Sequence, residues 1–293
     1  IDLTFNECSH EGTIDPNTGK CSHCGETMAA YVVATDSTDV NDRKFYKNFN
    51  EAHTAAITAL KNGDTTLSIL KDAVLTHDAH IAAGSPKTTL TVMLNGNKVT
   101  AKDTYFFDVG GYNVLFPAGD SGTITGGGVS GYLFRSYSVR DITFNSTDYT
   151  ITNTYDPEDP TIKATGDGTV HVNGRGGAGN LGYFRLDDTY GSNDSSISGG
   201  TFTKLYLCGN MTFKQGGAID VQGQTLAVSG RMTVEAGANI VFEGDVLFTK
   251  DADRTDGKGT GGWAKLSGGE FRGRLAIFDN ASVSAKKLGD LLA

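Results

Sequence analysis

Cys8, His10, Cys21 and Cys24 are the residues of this chain whose types and spacing most directly specify chemistry. Cys21-Ser22-His23-Cys24 leaves a two-residue gap, which lets two thiolates meet one ion at about 2.3 Å from each sulfur. Cys8 and His10 stand thirteen and eleven residues before Cys21, far enough for the chain to loop back and complete a tetrahedron. Asp15-Pro16-Asn17 and Thr18-Gly19 supply the turn. The spacing therefore predicts a closed Cys3His zinc knuckle of structural type, since a catalytic zinc keeps one position open. A disulfide from Cys8 to Cys21 or Cys24 is the rival reading, and His23 is an alternative ligand to His10. Cys208, in Leu205-Tyr206-Leu207-Cys208, reads as a buried, inert thiol.

Catalytic arrangements are sparse. Asp187 and Asp188 suggest an acid/base pair, but neighbouring residues on a strand face opposite sides. Asp251, Asp253 and Asp256 hint at a calcium loop, yet Thr255 and Gly262 stand where ligands are needed. His77 and His80 have no partner that makes a base or a metal pair, and His53 is placed near the polar side of a helix. Gly174-Arg175-Gly176-Gly177-Ala178-Gly179 lacks the strand and helix of a dinucleotide fingerprint. The signatures of polygalacturonase-like enzymes are missing, since Asn153-Thr154 runs into Tyr155 and His171 lies in Val170-His171-Val172. The chain is read as a non-enzyme.

Function is placed instead on three long polar segments, 154–168, 187–195 and 250–263, carried on a rigid scaffold. The candidate partner contacts are Tyr155, Tyr190, Asn193, Arg254 and Trp263, the single tryptophan. Aromatic anchors with polar neighbours suit a protein or sugar contact.

The elements that must hold these residues are short. With 39 glycines but only 5 prolines in 293 residues, and no collagen period, the composition fits many tight corners between strands. A strand is expected over Met28–Ala34 and a helix over Glu51–Lys61. The helix has Asn50 as N-cap, an apolar stripe of Ala52, Ala55, Ala56, Ala59 and Leu60, and a left-handed stop at Asn62-Gly63. From Thr65 onward, β runs of three to seven residues dominate; such strands bury a face only by stacking on copies of themselves. Ile197-Ser198-Gly199-Gly200-Thr201-Phe202 recurs as Leu266-Ser267-Gly268-Gly269-Glu270-Phe271, 69 residues later. That interval divides into three coils of ~23 residues. Ile124-Thr125-Gly126-Gly127-Gly128-Val129 is a looser third copy.

The expected fold is all-β: a right-handed parallel β-helix over 65–293, preceded by a zinc knuckle over 1–30 and a strand with a capping α-helix over 31–64. A β-sandwich is the competing architecture, but the Asn-Gly pairs that mark hairpins are few, Asn95-Gly96 among them, and Asn62-Gly63 ends a helix. Leu288, Leu291 and Leu292 suggest a terminal helix. The net charge of −9 argues against nucleic acid or an anionic membrane as partner. No apolar run approaches the ~20 residues of a membrane span. The start at Ile1, without Met or a leader, is the pattern of a processed or excised segment.

Cys8-Ser9-His10, Gly12-Thr13-Ile14-Asp15-Pro16, Thr18-Gly19-Lys20-Cys21 and Cys24-Gly25 resemble a module of large Gram-positive surface proteins of gut bacteria. The strand and helix that follow, then Thr65–Asp72 and Leu94–Lys98, continue the resemblance, which covers roughly residues 5–100. That group is similar to superantigen-like, immunoglobulin-binding proteins of commensal clostridia. The resemblance implies secretion, display on the bacterial cell surface, and capture of host immunoglobulin variable domains, with Zn2+ held by Cys8, His10, Cys21 and Cys24. It carries no binding residues over. The functional expectation is a surface module that binds a host protein. A polysaccharide-active or glycan-binding β-helix and a passive stalk are the alternatives.

Overall fold

The computed structural model describes residues 12–77, 87–127, 132–138, 140–146, 148–154, 160–165, 169–173, 180–187, 194–248, 263–277 and 282–285. Many strands alternate buried and outward-facing residues, with the outer two of a triplet buried, as in Phe107–Val109, Phe134–Ser136 and Leu226–Val228. Three residues of period 2 give two anchors and no width, so each strand must lie on the next.

The stacking builds three walls. The first is a twelve-stranded sheet, parallel from Thr65–Ile69 through to Ser282–Ala285. The third is an eight-stranded parallel sheet from Phe107–Val109 to Leu275–Ile277. Two four-stranded sheets share the second side. They are joined through Asn180, which bridges to Thr201 and accepts the Ile151 N–H at 2.7 Å. The chain visits the walls in rotation, for example Asn113–Phe116, Gly122–Gly127, Phe134–Ser136 and then Asp141–Phe144 on the first wall again. This is a parallel β-solenoid. The parallel register excludes the sandwich.

Rung length varies. Phe116 pairs with Phe144 and Phe144 with Val172, 28 residues apart each time. Ile197, Phe213, Val234 and Leu266 are consecutive partners, so the two Ser-Gly-Gly copies are three rungs apart, with intervals of 16, 21 and 32 residues. In both copies the second glycine has positive φ, +103° at Gly200 and +76° at Gly269, where the chain turns from the first wall toward the second. Ile124 lies within the second wall, so the looser third copy is not an equivalent corner.

The interior is one apolar cluster running from Ala29 to Leu266. Aromatic rings stack along the axis: Phe116 on Phe144 at 4.7 Å and 9°, and Phe242 on Phe271 at 4.6 Å and 15°. Phe134 meets Phe116 and Phe144 edge-on across the core.

At the N-terminal end the pairing changes sense. Ala30–Ala34 runs antiparallel to Thr65–Ile69 on one side and to Lys44–Tyr46 on the other. The helix spans Phe49–Ala59 with Asn48 as N-cap, two residues earlier than the sequence reading. Asn48 Oδ1 takes the Asn50 N–H at 2.8 Å, while Asn50 Oδ1 instead accepts from the Thr76 N–H at 2.9 Å. The helix closes with Lys61 N–H to Thr58 O and Asn62 N–H to Ala59 O, and Gly63, at φ +153°, lies outside the left-handed helical region. The expected stripe holds at Ala52, Ala56 and Leu60, and Phe49, His53 and Ile57 are buried beside it. His53 is therefore a core residue and not part of a polar face. Its Nε2 lies 3.1 Å from the Phe106 carbonyl oxygen and its ring stacks on Phe107 at 5.2 Å.

Candidate functional site

The knuckle sequence forms a tight two-bridge turn. Ile14 pairs with Cys21 and Lys20 with Thr27, both antiparallel. Gly25, at φ +72°, donates its N–H to the Cys21 carbonyl at 2.8 Å, and the Cys21 N–H goes to Glu26 O at 2.9 Å. A left-handed glycine directly after Cys-x-x-Cys reverses the chain, so both cysteines sit on one turn, Cys21 buried and Cys24 exposed. Cys8 and His10 lie outside the described residues, and among the described residues no group of three or more His, Cys, Asp or Glu gathers. His23 is exposed on the turn.

Tyr155, Tyr190, Asn193 and Arg254 lie outside the described residues, as do Asp188, the Asp251–Asp256 loop, His80, the Gly174–Gly179 segment and the terminal leucines. Trp263 is not a loop residue: it opens the strand Trp263–Leu266 on the first wall, in register with Arg231 and Ser282. Cys208 is half-exposed because it stands just past the end of Lys204–Leu207 and not inside it. His77 is exposed with Nε2 3.0 Å from Thr54 Oγ1.

Asp187 is no half of an acid/base pair. Its Oδ2 meets Arg185 Nε at 2.7 Å and Lys163 Nζ at 3.3 Å, so the carboxylate is already paired with two cations.

Those two cations belong to a row that the sequence reading missed. On the third wall the outward residues Asp108, Arg135, Lys163, Arg185 and Tyr206 are direct register partners on successive rungs. Arg135 grips Asp108 with two bonds, Nε to Oδ1 at 2.7 Å and Nη2 to Oδ2 at 2.8 Å. Its guanidinium also lies 4.5 Å from the Tyr137 ring centre and 5.1 Å from that of Tyr132. Tyr132 in turn stacks on Tyr105 at 4.7 Å and 8°. The pattern repeats farther along, with Arg185 4.9 Å from the Tyr206 ring centre and Lys204 Nζ 4.8 Å from that of Tyr183.

Burial pulls both guanidinium pKa values down, but the hydrogen bonds and charges of Asp108 and Asp187 outweigh it and hold Arg135 and Arg185 above their ordinary range. Burial, with the Asp108 charge second, pushes Tyr132 and Tyr137 up, so both phenols stay neutral. The wall offers fixed cations, aromatic faces and rigid backbone, and its two carboxylates are bound in ion pairs.

A triplet signal was present in Phe134-Arg135-Ser136, Ile162-Lys163-Ala164, Phe184-Arg185-Leu186 and Leu205-Tyr206-Leu207. The alignment of those triplets depends on rung lengths of 28, 22 and 21 residues. Comparison of the chain with protein-family models, with curated proteins and with solved structures finds no match.

Proposed function

We propose that this chain is a non-catalytic binding module, secreted or displayed on a bacterial cell surface, that captures a host protein. The partner proposed is the immunoglobulin variable domain, bound in a superantigen-like manner. The observation that carries the binding reading is the in-register row of arginine, lysine and tyrosine on the third wall. Tyrosine and arginine are the residues that concentrate binding energy at protein interfaces. A stacked solenoid presents them already ordered, so little side-chain freedom is lost on association. The choice of immunoglobulin rests on the resemblance of residues 5–100.

In this reading the coil is right-handed, the hand that parallel crossovers adopt in nearly all cases. The helix Phe49–Ala59 and the antiparallel strand Ala30–Ala34 close the open end of the stack and keep its edge from pairing with another chain. Zn2+ held by Cys8, His10, Cys21 and Cys24 fastens the N-terminal turn, a structural role.

Pooled immunoglobulin and a glycan array passed over the immobilised chain test the proposal. Capture of antibodies of many unrelated specificities supports it. Glycan binding without antibody capture replaces it with the polysaccharide reading, which the flat Tyr105–Tyr132 stack favours.

A further inference from the structure

We infer that Asn62-Gly63 is a self-modification site. In the folded chain the Asn62 amide is lost as ammonia, and the carboxylate left behind loosens the end of the helix Phe49–Ala59.

An asparagine side chain is open to attack by the backbone nitrogen of the next residue, and glycine, with no side chain, lets the two approach most freely. The Gly63 nitrogen bonds to Asn62 Cγ, the bond from Cγ to Nδ2 breaks, and ammonia leaves with the Gly63 amide proton. Water then opens the resulting five-membered imide at either carbonyl, giving aspartate or isoaspartate at position 62. The reaction needs an uncommitted side-chain amide, an uncommitted glycine N–H and access to water. Asn62 meets all three conditions. It is exposed, and among the described residues neither its side-chain amide nor the Gly63 N–H has a hydrogen-bond partner. Both residues line a cavity of about 470 Å3 together with Asp36 and Asp64.

Asn95-Gly96 is the same dipeptide in the opposite state. Asn95 Nδ2 donates to Ser68 Oγ and to Ile69 O, each at 2.9 Å, and the Gly96 N–H is committed to Ser121 O at 2.8 Å. Three hydrogen bonds must be given up before this pair can react. In the third pair, Asn173-Gly174, the Asn173 side-chain amide donates to Asn145 Oδ1 at 2.9 Å, and Gly174 lies outside the described residues.

The product matters because of where it forms. The Asn62 N–H closes the helix on Ala59 O at 2.9 Å, so the new carboxylate stands at the negative end of the helix dipole. Asp36 and Asp64 on the same cavity add like charge. Isoaspartate also reroutes the main chain through one extra carbon just before Thr65–Ile69 begins. Ala52, Ala56 and Leu60 stay buried on the core, which confines the loosening to the last turn.

The test ages the full chain at mildly alkaline pH, folded and in urea, and follows each Asn-Gly peptide by mass spectrometry with enzymatic labelling of isoaspartate. In the folded chain Asn62 should convert at least about tenfold faster than Asn95, and in urea the two rates should converge. Asn62→Gln should abolish the conversion at this position and keep the native hydrogen-exchange pattern. Asn62→Asp, which supplies the charge without the rerouted backbone, should lower protection of the amides of residues 61 and 62 by roughly two- to fivefold. Equal rates at Asn62 and Asn95 in the folded chain, conversion of Asn62 only in urea, or protection at residues 61 and 62 that Asn62→Asp leaves unchanged overturns the inference.

Discussion

The Tyr149 hydroxyl donates to Asp120 Oδ2 at 3.0 Å, linking residues 29 apart in sequence inside the wall of the coil. The same carboxylate accepts the Leu94 N–H at 2.7 Å and the Asn95 N–H at 2.8 Å. Asp120 thereby ties three successive turns together. It also fixes the Asn95-Gly96 corner, whose φ values of +52° and +79° turn the chain between walls and not into a hairpin. Asp120→Ala leaves two backbone donors and a phenol without their acceptor. Its expected cost is roughly 3–5 kcal/mol, against about 1–2 kcal/mol for Tyr149→Phe, which leaves the carboxylate its other bonds. Denaturant unfolding measures both; equal costs would show that Asp120 does not act through its backbone contacts.

Burial, followed by the Asp120 charge, raises the Tyr149 pKa far above its ordinary value; burial likewise raises Tyr132 and Tyr183. A tyrosine whose folded pKa exceeds its unfolded value keeps its proton better in the folded state. Its contribution is intact below pH 10 and is lost as pH climbs above it. Phenolate absorbance should therefore rise in two stages on alkaline titration, exposed tyrosines first and this buried group together with the loss of β-sheet circular dichroism. A single smooth rise with the sheet signal unchanged contradicts the burial.

His171 gives the acid counterpart. Its pKa is lowered, chiefly by burial, with Lys214 adding to this and Asp141 and Asp194 opposing it, while Nδ1 lies 2.9 Å from Ser196 Oγ. A histidine with a depressed folded pKa stabilises the fold while neutral. Its contribution is present above the unfolded value of 6.5 and is lost as pH falls through the lower folded value. The melting temperature of the native chain should fall more steeply below pH 6.5 than that of His171→Gln. Parallel curves for the two proteins would remove His171 as the cause.

How much of this was legible in the sequence differs between fold and site. Short apolar-faced strands separated by Gly, Asn and Ser require stacking whatever the rung length, and the Ser-Gly-Gly repeat with the scarcity of hairpin turns favoured a solenoid over a sandwich. The Ser-Gly-Gly repeat marked three rungs because both copies occupy the same corner. The row of cations and tyrosines on the third wall was illegible for a physical reason. Arg135, Lys163 and Arg185 meet only after 28- and 22-residue rungs are threaded, and nothing local records how much chain each corner consumes. His53 was misplaced because helix periodicity gives a face, and two neighbouring phenylalanines, Phe106 and Phe107, decided which face was covered.

Gly126 stands on the second wall directly opposite Ala101 of the preceding turn. Its φ is +115°, and a Cβ there would stand 1.8 Å from the Ala101 carbonyl oxygen, its register partner. Neither backbone can yield without breaking the ladder. Gly126→Ala is expected to cost roughly 3 kcal/mol or more, from combined strain and lost pairing. Gly119→Ala, also at positive φ but with nothing within 4 Å, should cost only about 1 kcal/mol. Equal melting temperatures for the two variants would show that rung approach at Gly126 is looser than described.

The knuckle separates metal from disulfide by a simple contrast. With zinc bound by Cys8, His10, Cys21 and Cys24, elemental analysis should return one zinc per chain, and a chelator should release it and open the three thiols Cys8, Cys21 and Cys24 to alkylation. A disulfide instead leaves the chelator without effect and makes a reductant the agent of change. Because Cys21 is buried and the turn is tied to the segment entering the first core strand by the Met28 N–H to Gly19 O bond, loss of the ion should loosen residues 12–29 while the solenoid core stays folded. Hydrogen exchange reads this directly: the Cys21 and Met28 amides, bonded to Glu26 O and Gly19 O, should lose protection on chelation, and the Phe144 and Val172 amides should not. Cys21→Ser should reproduce the chelated pattern without chelator, since a hydroxyl is a poor substitute for a thiolate toward zinc. If Cys21→Ser keeps its zinc and its protection, the ion is held elsewhere and the turn is only a hairpin that happens to carry two cysteines.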